Sequence, residues 1–273
     1  MIGYFQIAGR RVCVDFTRGS SVAIALDFDG AQPSFFGATT ARRRAMRIGD
    51  FIGSTAAGGS CNVSVVTLTP HCNGTHTEGI GHIVDGPVSI HGCLRESLMP
   101  AVLVTIAPVD ASGTSESYRP ALGSRDRVVT GRRLEEQLSR YQDAELTGVV
   151  IRTLPNGPMK MSCCYDGDNM PPFLTLDAID YLNERGVRHL LVDLPSLDRM
   201  HDDGLLSAHH RFWRVPEGTR CLTPDSDDLK TVTELIYAPN DLEDGAYILD
   251  LQVAPFSCDA APSRPVLYAV DTI

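Results

Sequence analysis

The sequence lacks any long apolar run. Nothing approaches the roughly 20 consecutive apolar residues that span a bilayer, so no membrane partner is expected. It lacks a basic excess as well. The net charge is -10, which repels phosphate backbones and argues against a nucleic-acid partner. The first residues, MIGYFQIAGRRVCVDF, have no basic segment followed by an apolar one. They alternate about Ala8-Gly9-Arg10 and predict a β-hairpin rather than a signal peptide; the expected location is the cytoplasm. None of the eight cysteines stands in a CxxC pair, so they are expected to be reduced and mostly buried. Cys163-Cys164 are neighbours and would bond only with strain. Internal repeats, low-complexity tracts and a convincing linker are also missing, which points to a single domain over 1–273.

What is present reads as α+β. Strands are expected at VCVDF (12–16), SVAIALDF (21–28), NVSVVTLT (62–69) and AVLVTIAP (101–108), parted by Gly- and Pro-rich stretches. A helix is expected over 132–143. TGVVIRTL (147–154) reads as a buried strand, and TLDAIDYLNERG (175–186) as a helix capped by Thr175 and closed by Gly186. VRHLLVDLP (187–195) is then another buried strand, completing a βαβ-type unit. The Pro-rich loop between the first strand and the helix is long enough to suggest a function. Strands return at 246–255 and 264–270. The run ARRRAMR (41–47) is expected to be a solvated face.

Residues 71–83, HCNGTHTEGIGHI, hold the chemistry. His71, His76, Glu78 and His82 fall within twelve positions, with Gly74, Gly79 and Gly81 between them. A straight strand of that length would span over about 30 Å, too far for one ion. The segment must fold back if it binds metal, and glycines permit that. His76 and Glu78, two apart, share a face in extended backbone. Imidazole nitrogen with carboxylate oxygen suits a borderline divalent cation such as zinc or manganese. A Gly-rich turn carrying unconnected histidines is the alternative. His91 and His189, beside apolar runs, read as packing residues, and His201 as a solvated one. Further ligands would have to come from elsewhere, and His209-His210, on an expected helix, is the best source.

NGTHTEGIGH resembles the signature of the cyclase-like metal-dependent hydrolase family, to which bacterial kynurenine formamidase and isatin hydrolase belong. Gly74-Thr75-His76 matches its core, Glu78 stands for the aspartate, Ile80 for the proline, and His82 is the last histidine. The likeness continues through VVIRTLP (149–155), the helix–strand unit 175–198 ending in Asp193, Ser196 and Asp198, AHH (208–210), the segment opening with Glu234, and DAAPSRPVLY (259–268). It implies a swivelling β/β/α cyclase-like fold of mixed sheets with flanking helices. It further implies one or two divalent metals, zinc first and manganese second. His71, His76 and Glu78 would hold one, and Glu78, His209 and Glu234 a second. His82, outside that set, would move protons as acid/base.

Three departures stand out. Cys72 occupies the family's first-histidine register, with His71 beside it. Glu78 is a methylene longer than aspartate. VPEGTRCLTPDSDDLK (215–230) reads as an inserted loop. The resemblance implies hydrolysis of a C–N bond in a small formamide, lactam or cyclic amide by a homodimer or homotetramer. Lactone hydrolysis, or cyclase or dehydratase chemistry, is the alternative, and a non-catalytic metal-stabilised binder is a third reading. Phe35, Phe36 and Trp213 are candidates to pack a small apolar substrate.

Overall fold

Apolar runs too uniform for a one-sided strand belong between two covered faces. Three such segments lie side by side and parallel in the computed structural model, which describes residues 1–272: Leu98–Ile106, Gly148–Thr153 and His189–Val192; the more polar strand Thr231–Glu234 continues the parallel set. The register aligns Val102 with Val149, Val149 with Leu190, and Leu190 with Val232. That row and its alternates pack under the helices Gly131–Leu138, Leu176–Glu184 and Ser207–Phe212. The intervening row, Leu103, Val150 and Leu191, packs on the other face against Met99, Tyr247, Leu249 and Ile236. Period-two alternation thus fills two cores from the same strands. Each fully buried aliphatic side chain stabilises the fold by about 1.5–3 kcal/mol.

The helices start where the sequence supplies caps. Thr130 Oγ1 accepts from Arg133 N at 3.3 Å, and Thr175 Oγ1 from Ala178 N at 3.1 Å. Gly186 closes the second helix at φ 71°. At Gly131 the two helices approach so closely that a Cβ would lie 2.8 Å from Asp177 O.

Antiparallel strands extend the sheet on both sides, to eleven strands in all. On one side stand Gly245–Asp250, Val266–Thr272 and the N-terminal hairpin Ile2–Ile7/Arg10–Asp15, turning at Ala8 and Gly9 with φ 50° and 74°. On the other, His76–Gly79 runs antiparallel to Thr231–Glu234, with His76 opposite Glu234, and to Ala260–Pro262. The architecture is α+β with mixed sheets and flanking helices, as the resemblance implied.

Some expected elements differ. SVAIALDF is not a strand beyond Ser20–Ser21 and a lone bridge from Ala23 to Ile236. Val22 and Ile24 are buried as alternation requires, but their amides bond Pro265 O and Thr75 Oγ1 singly rather than a neighbouring strand. NVSVVTLT shortens to Ser64–Thr67. The helix expected over 132–143 ends at Leu138, and Gln142 caps a separate turn in which Glu145 reaches back to the Gln142 amide. The arginines of Arg42–Ala45 are exposed, a solvated edge. No helix among the described residues is long and apolar enough to cross a membrane. All eight cysteines are free, but most are not buried as expected: Cys93 alone is buried, Cys13, Cys72 and Cys163 are half-buried, and Cys61, Cys164, Cys221 and Cys258 are exposed.

Candidate metal centre

The histidine-rich segment folds back as its glycines allow. Pro70–Asn73 is a helical turn, His76–Gly79 a strand, and Ile80–His82 a 3-10 turn. His76 and Glu78 alternate onto the same side of their strand, and that strand's place beside Thr231–Glu234 sets Glu234 opposite His76. His209 arrives from the helix Ser207–Phe212, and the turn 70–73 brings His71.

Distances show how closely they gather. His76 Nε2 lies 3.4 Å from Glu234 Oε2. His209 Nε2 lies 2.8 Å from Glu78 Oε1 and 3.5 Å from Glu234 Oε1. His71 Nδ1 lies 2.9 Å from Glu78 Oε2. The donor atoms fall into three triads, each within 4.8 Å: His71/His76/Glu78 and Glu78/His209/Glu234, with Glu78 common to both, and the less buried His71/His82/Asp259. Cys72 joins no such triad among the described residues. Burial and the nearby Glu234 carboxylate raise its thiol.

The partners behind the ligands fix their aim. His76 Nδ1 donates to Gly74 O at 3.0 Å, leaving Nε2 for the centre. His209 Nδ1 lies 2.5 Å from Asp198 Oδ2, and Asp198 also accepts from Tyr118 Oη and Ala208 N, each at 2.6 Å. Leu197 N donates to Glu234 Oε1 at 2.9 Å. Such outer contacts hold a ligand's tautomer and orientation.

A cation fits this donor set. His76 Nε2, His209 Nε2 and both Glu78 oxygens are buried without an aligned hydrogen bond; the 2.8 Å approach of His209 to Glu78 is close but off axis. Buried polar atoms rarely stay unpaired, and two imidazole nitrogens with shared carboxylates suit a divalent ion. Without one, burial pushes His209 down, but Glu78 and Asp198 hold it well above the ordinary imidazole range. Burial pushes Glu78 up, yet the His82 and His209 imidazoles hold it well below.

His82 stands at the rim, about a quarter exposed, 3.9 Å from Glu78 Oε2. It borders a cavity of 380 Å³ lined also by Ile83, Val84, Leu205, Leu206 and His210. Gly218, Thr219 and Arg220 of the loop expected as an insertion close the same cavity. His210 donates from Nδ1 to Val215 O and joins no donor group among the described residues. His189 is buried and bonds Thr231 Oγ1 at 2.9 Å.

The family model of cyclases, described as "Putative cyclase", matches residues 11–199. The chain belongs to the cyclase family. Among curated relatives, kynurenine formamidase of Bacillus cytotoxicus is 26% identical over 157 residues, 57% of this chain and 62% of that protein. The Bacillus thuringiensis enzyme of the same name is 24% identical over the same shares. The match thus spans less than two thirds of those relatives' length. Among solved structures, isatin hydrolase A from Labrenzia aggregata superposes with a TM-score of 0.63 at 18% identity, covering 93% of this chain and 94% of that one. A predicted metal-dependent hydrolase from Bacillus stearothermophilus gives 0.58 at 15% identity, covering 92% and 98%. At such identities these two establish the cyclase-family fold.

Two of the aromatic substrate contacts expected from sequence need correction. Trp213 is fully buried; its indole donates to Lys230 O at 3.0 Å, and its ring lies 5.4 Å from that of His209. It backs His209 and presents nothing to a substrate. Phe35 is buried among Ile24, Tyr165, Met200 and Leu235. Phe36, by contrast, is exposed. Sequence reading missed Tyr118 and Asp259. Tyr118 follows an irregular Ser-rich stretch and carries no motif, while Asp259 opens the family-like segment DAAPSRPVLY, where the sequence alone gives it no role.

Proposed function

We propose that this chain is a metal-dependent hydrolase that opens a C–N bond in a small amide, formamide or lactam. The observation that carries the reading is the convergence of His71, His76, Glu78, His209 and Glu234 on a buried space whose polar atoms lack partners. In this reading His71, His76 and Glu78 hold one divalent cation, and Glu78, His209 and Glu234 hold a second. Zinc is the first choice and manganese the second. A cation there would polarise a carbonyl and bring the ionisation of water near neutral pH.

The chain's own residues do the rest. Asp198 and Gly74 O fix the rings of His209 and His76. The apolar wall of Ile83, Val84, Leu205 and Leu206 limits water around a bound substrate. His82, at the rim and outside both ligand triads, takes the proton from the attacking water and returns it to the departing nitrogen. Phe36 is the one exposed aromatic of the three expected from sequence, and in this reading is the one open to contact with a flat apolar body. Relatives named for a formamide and for isatin support an amide carbonyl. A lactone would engage the same groups.

Metal analysis of the purified protein followed by a panel of aryl formamides, cyclic amides and lactones tests the reading. His82→Ala should keep its metal and lose about 10²–10⁴-fold in turnover. Absence of bound metal, or full activity in the variant, defeats it. The free thiols fit a cytoplasmic enzyme, to be checked by fractionation, and the net charge of -10 fits a protein that engages neither nucleic acid nor membrane. The family kinship supports a homodimer or homotetramer, to be read from the mass in solution.

A further inference from the structure

One carboxylate beside the centre belongs to neither ligand triad of the proposed site, but gathers with His71 and His82, their donor atoms within 4.8 Å of one another. Asp259 Oδ2 lies 2.8 Å from His71 Nε2 and 3.5 Å from His82 Nδ1. The two rings stack on each other, centroids 4.3 Å apart at 29°. Asp259 makes no other side-chain hydrogen bond or ion pair among the described residues. Its backbone is tied to the ligand strand itself: Gly79 N donates to Asp259 O at 3.0 Å, and Ala260 pairs with Glu78. Cys258 O accepts from Ile90 N at 2.8 Å, fixing the approach from the other side. Gly81 makes room, since a Cβ there would lie 3.5 Å from Asp259 Cβ and 2.3 Å from Val88 O. The carboxylate is therefore delivered by the same sheet register that places Glu78.

Its position divides the work of the two imidazoles. His71 turns Nδ1 to Glu78 and Nε2 to Asp259. A carboxylate on the outer nitrogen of a ligating histidine holds the tautomer that leaves the inner nitrogen's lone pair free for metal. Once Glu78 is committed to cations, Asp259 is the carboxylate left within reach of His82 Nδ1, so His82 Nε2 is the nitrogen left to exchange protons.

We propose that Asp259 is a positioning residue that sets the orientation of both the metal ligand His71 and the proton carrier His82. This rests on the metal-hydrolase reading above.

The test begins with apo-protein stripped by chelation. Zinc is titrated against a competing chelator for wild type, Asp259→Ala, Asp259→Asn, His82→Ala and His76→Ala, with the melting of each apo-protein as a check on folding. Asp259→Ala should bind zinc about 10–100-fold more weakly. Asp259→Asn, whose amide oxygen still accepts from His71, should recover part of that loss, and His82→Ala should bind as wild type. Ring-nitrogen spectra of the zinc form should show His71 protonated at Nε2 in wild type and as mixed tautomers in Asp259→Ala. On whichever amide is turned over, Asp259→Ala should lower kcat with KM unchanged, and add little to His82→Ala. If both Asp259 variants bind zinc as wild type does while His76→Ala loses it, the metal reading stands and this assignment falls. If Asp259→Asn instead loses one whole equivalent of zinc, Asp259 is a ligand and the assignment again falls. Wild type that binds no zinc or manganese removes both.

Discussion

Removing the Lys160 ammonium should unfold the protein more easily, and by an amount that shrinks in acid. Lys160 comes from the long Pro-rich loop, and its Nζ donates to Thr153 O at 2.7 Å, Thr153 Oγ1 at 2.9 Å and Asp193 Oδ2 at 2.7 Å. All three of its protons are used. Asp193 is fully buried at the end of the strand His189–Val192, and Thr153 ends the neighbouring parallel strand. The lysine thus fastens the loop to the sheet end from which Glu234 also emerges. Lys160→Met keeps the stem and deletes the charge, leaving Asp193 with only the Thr153 amide and hydroxyl. Breaking a buried pair in this way costs about 3–5 kcal/mol. Lys160 is partly open to solvent, so the lower end, about 3 kcal/mol, applies. For a chain of this size that lowers Tm by about 5 °C. Burial already raises the Asp193 carboxyl, although Lys160 opposes that rise; without the lysine it rises further. A carboxyl whose folded pKa lies above its unfolded one binds protons more readily when folded, so acid relieves the penalty. Urea unfolding of the metal-free proteins at pH 7 and pH 5 should therefore show a smaller gap at pH 5, and Asp193→Asn should repair much of the loss in the Lys160→Met background. A gap below about 1 kcal/mol at pH 7, or a double variant weaker than Lys160→Met alone, would refute the reasoning.

Other outcomes follow from the same contacts. Burial holds the His189 imidazole down at about 4 against an ordinary 6.5, so the unfolded chain takes up a proton that the folded one refuses between those values. Stability should fall by about 3 kcal/mol as pH drops through that window, and the His189→Gln variant should lack this component of the slope; identical pH dependences would contradict the assignment. Asp198→Asn puts an amide where four donors converge. It should loosen zinc about 10–100-fold and cost about 1–3 kcal/mol of stability, read by chelator competition and by melting. Unaltered zinc affinity would mean that His209 needs no such support.

The elements that the sequence announced are those whose signal is local. The apolar stretches 149–151 and 190–192 do not alternate because helices and a second core cover both faces, and Thr175 and Gly186 mark their helix by side-chain and backbone geometry alone. The crowding of His71, His76, Glu78 and His82 was visible for the same reason. What stayed hidden depends on partners far along the chain. SVAIALDF alternates correctly yet pairs only at Ser21 and through the lone Ala23 bridge, and its buried amides at Val22 and Ile24 meet Pro265 and Thr75 instead. Trp213 follows His209 by four positions and lies on the same side as its ring, and nothing in its sequence neighbours tells core from cavity. Asp259 acts only because Ala260 registers with Glu78, a pairing across some 180 positions.

The burial of Trp213 has a practical sequel. It is the protein's single tryptophan, sealed from water, with its ring 5.4 Å from that of His209. Indole emission from the native molecule therefore originates from one ring seated at the back of the proposed centre. Loading or stripping His209 changes the charge beside that indole, so intrinsic emission follows occupancy directly, with no added dye and no second indole to dilute the signal.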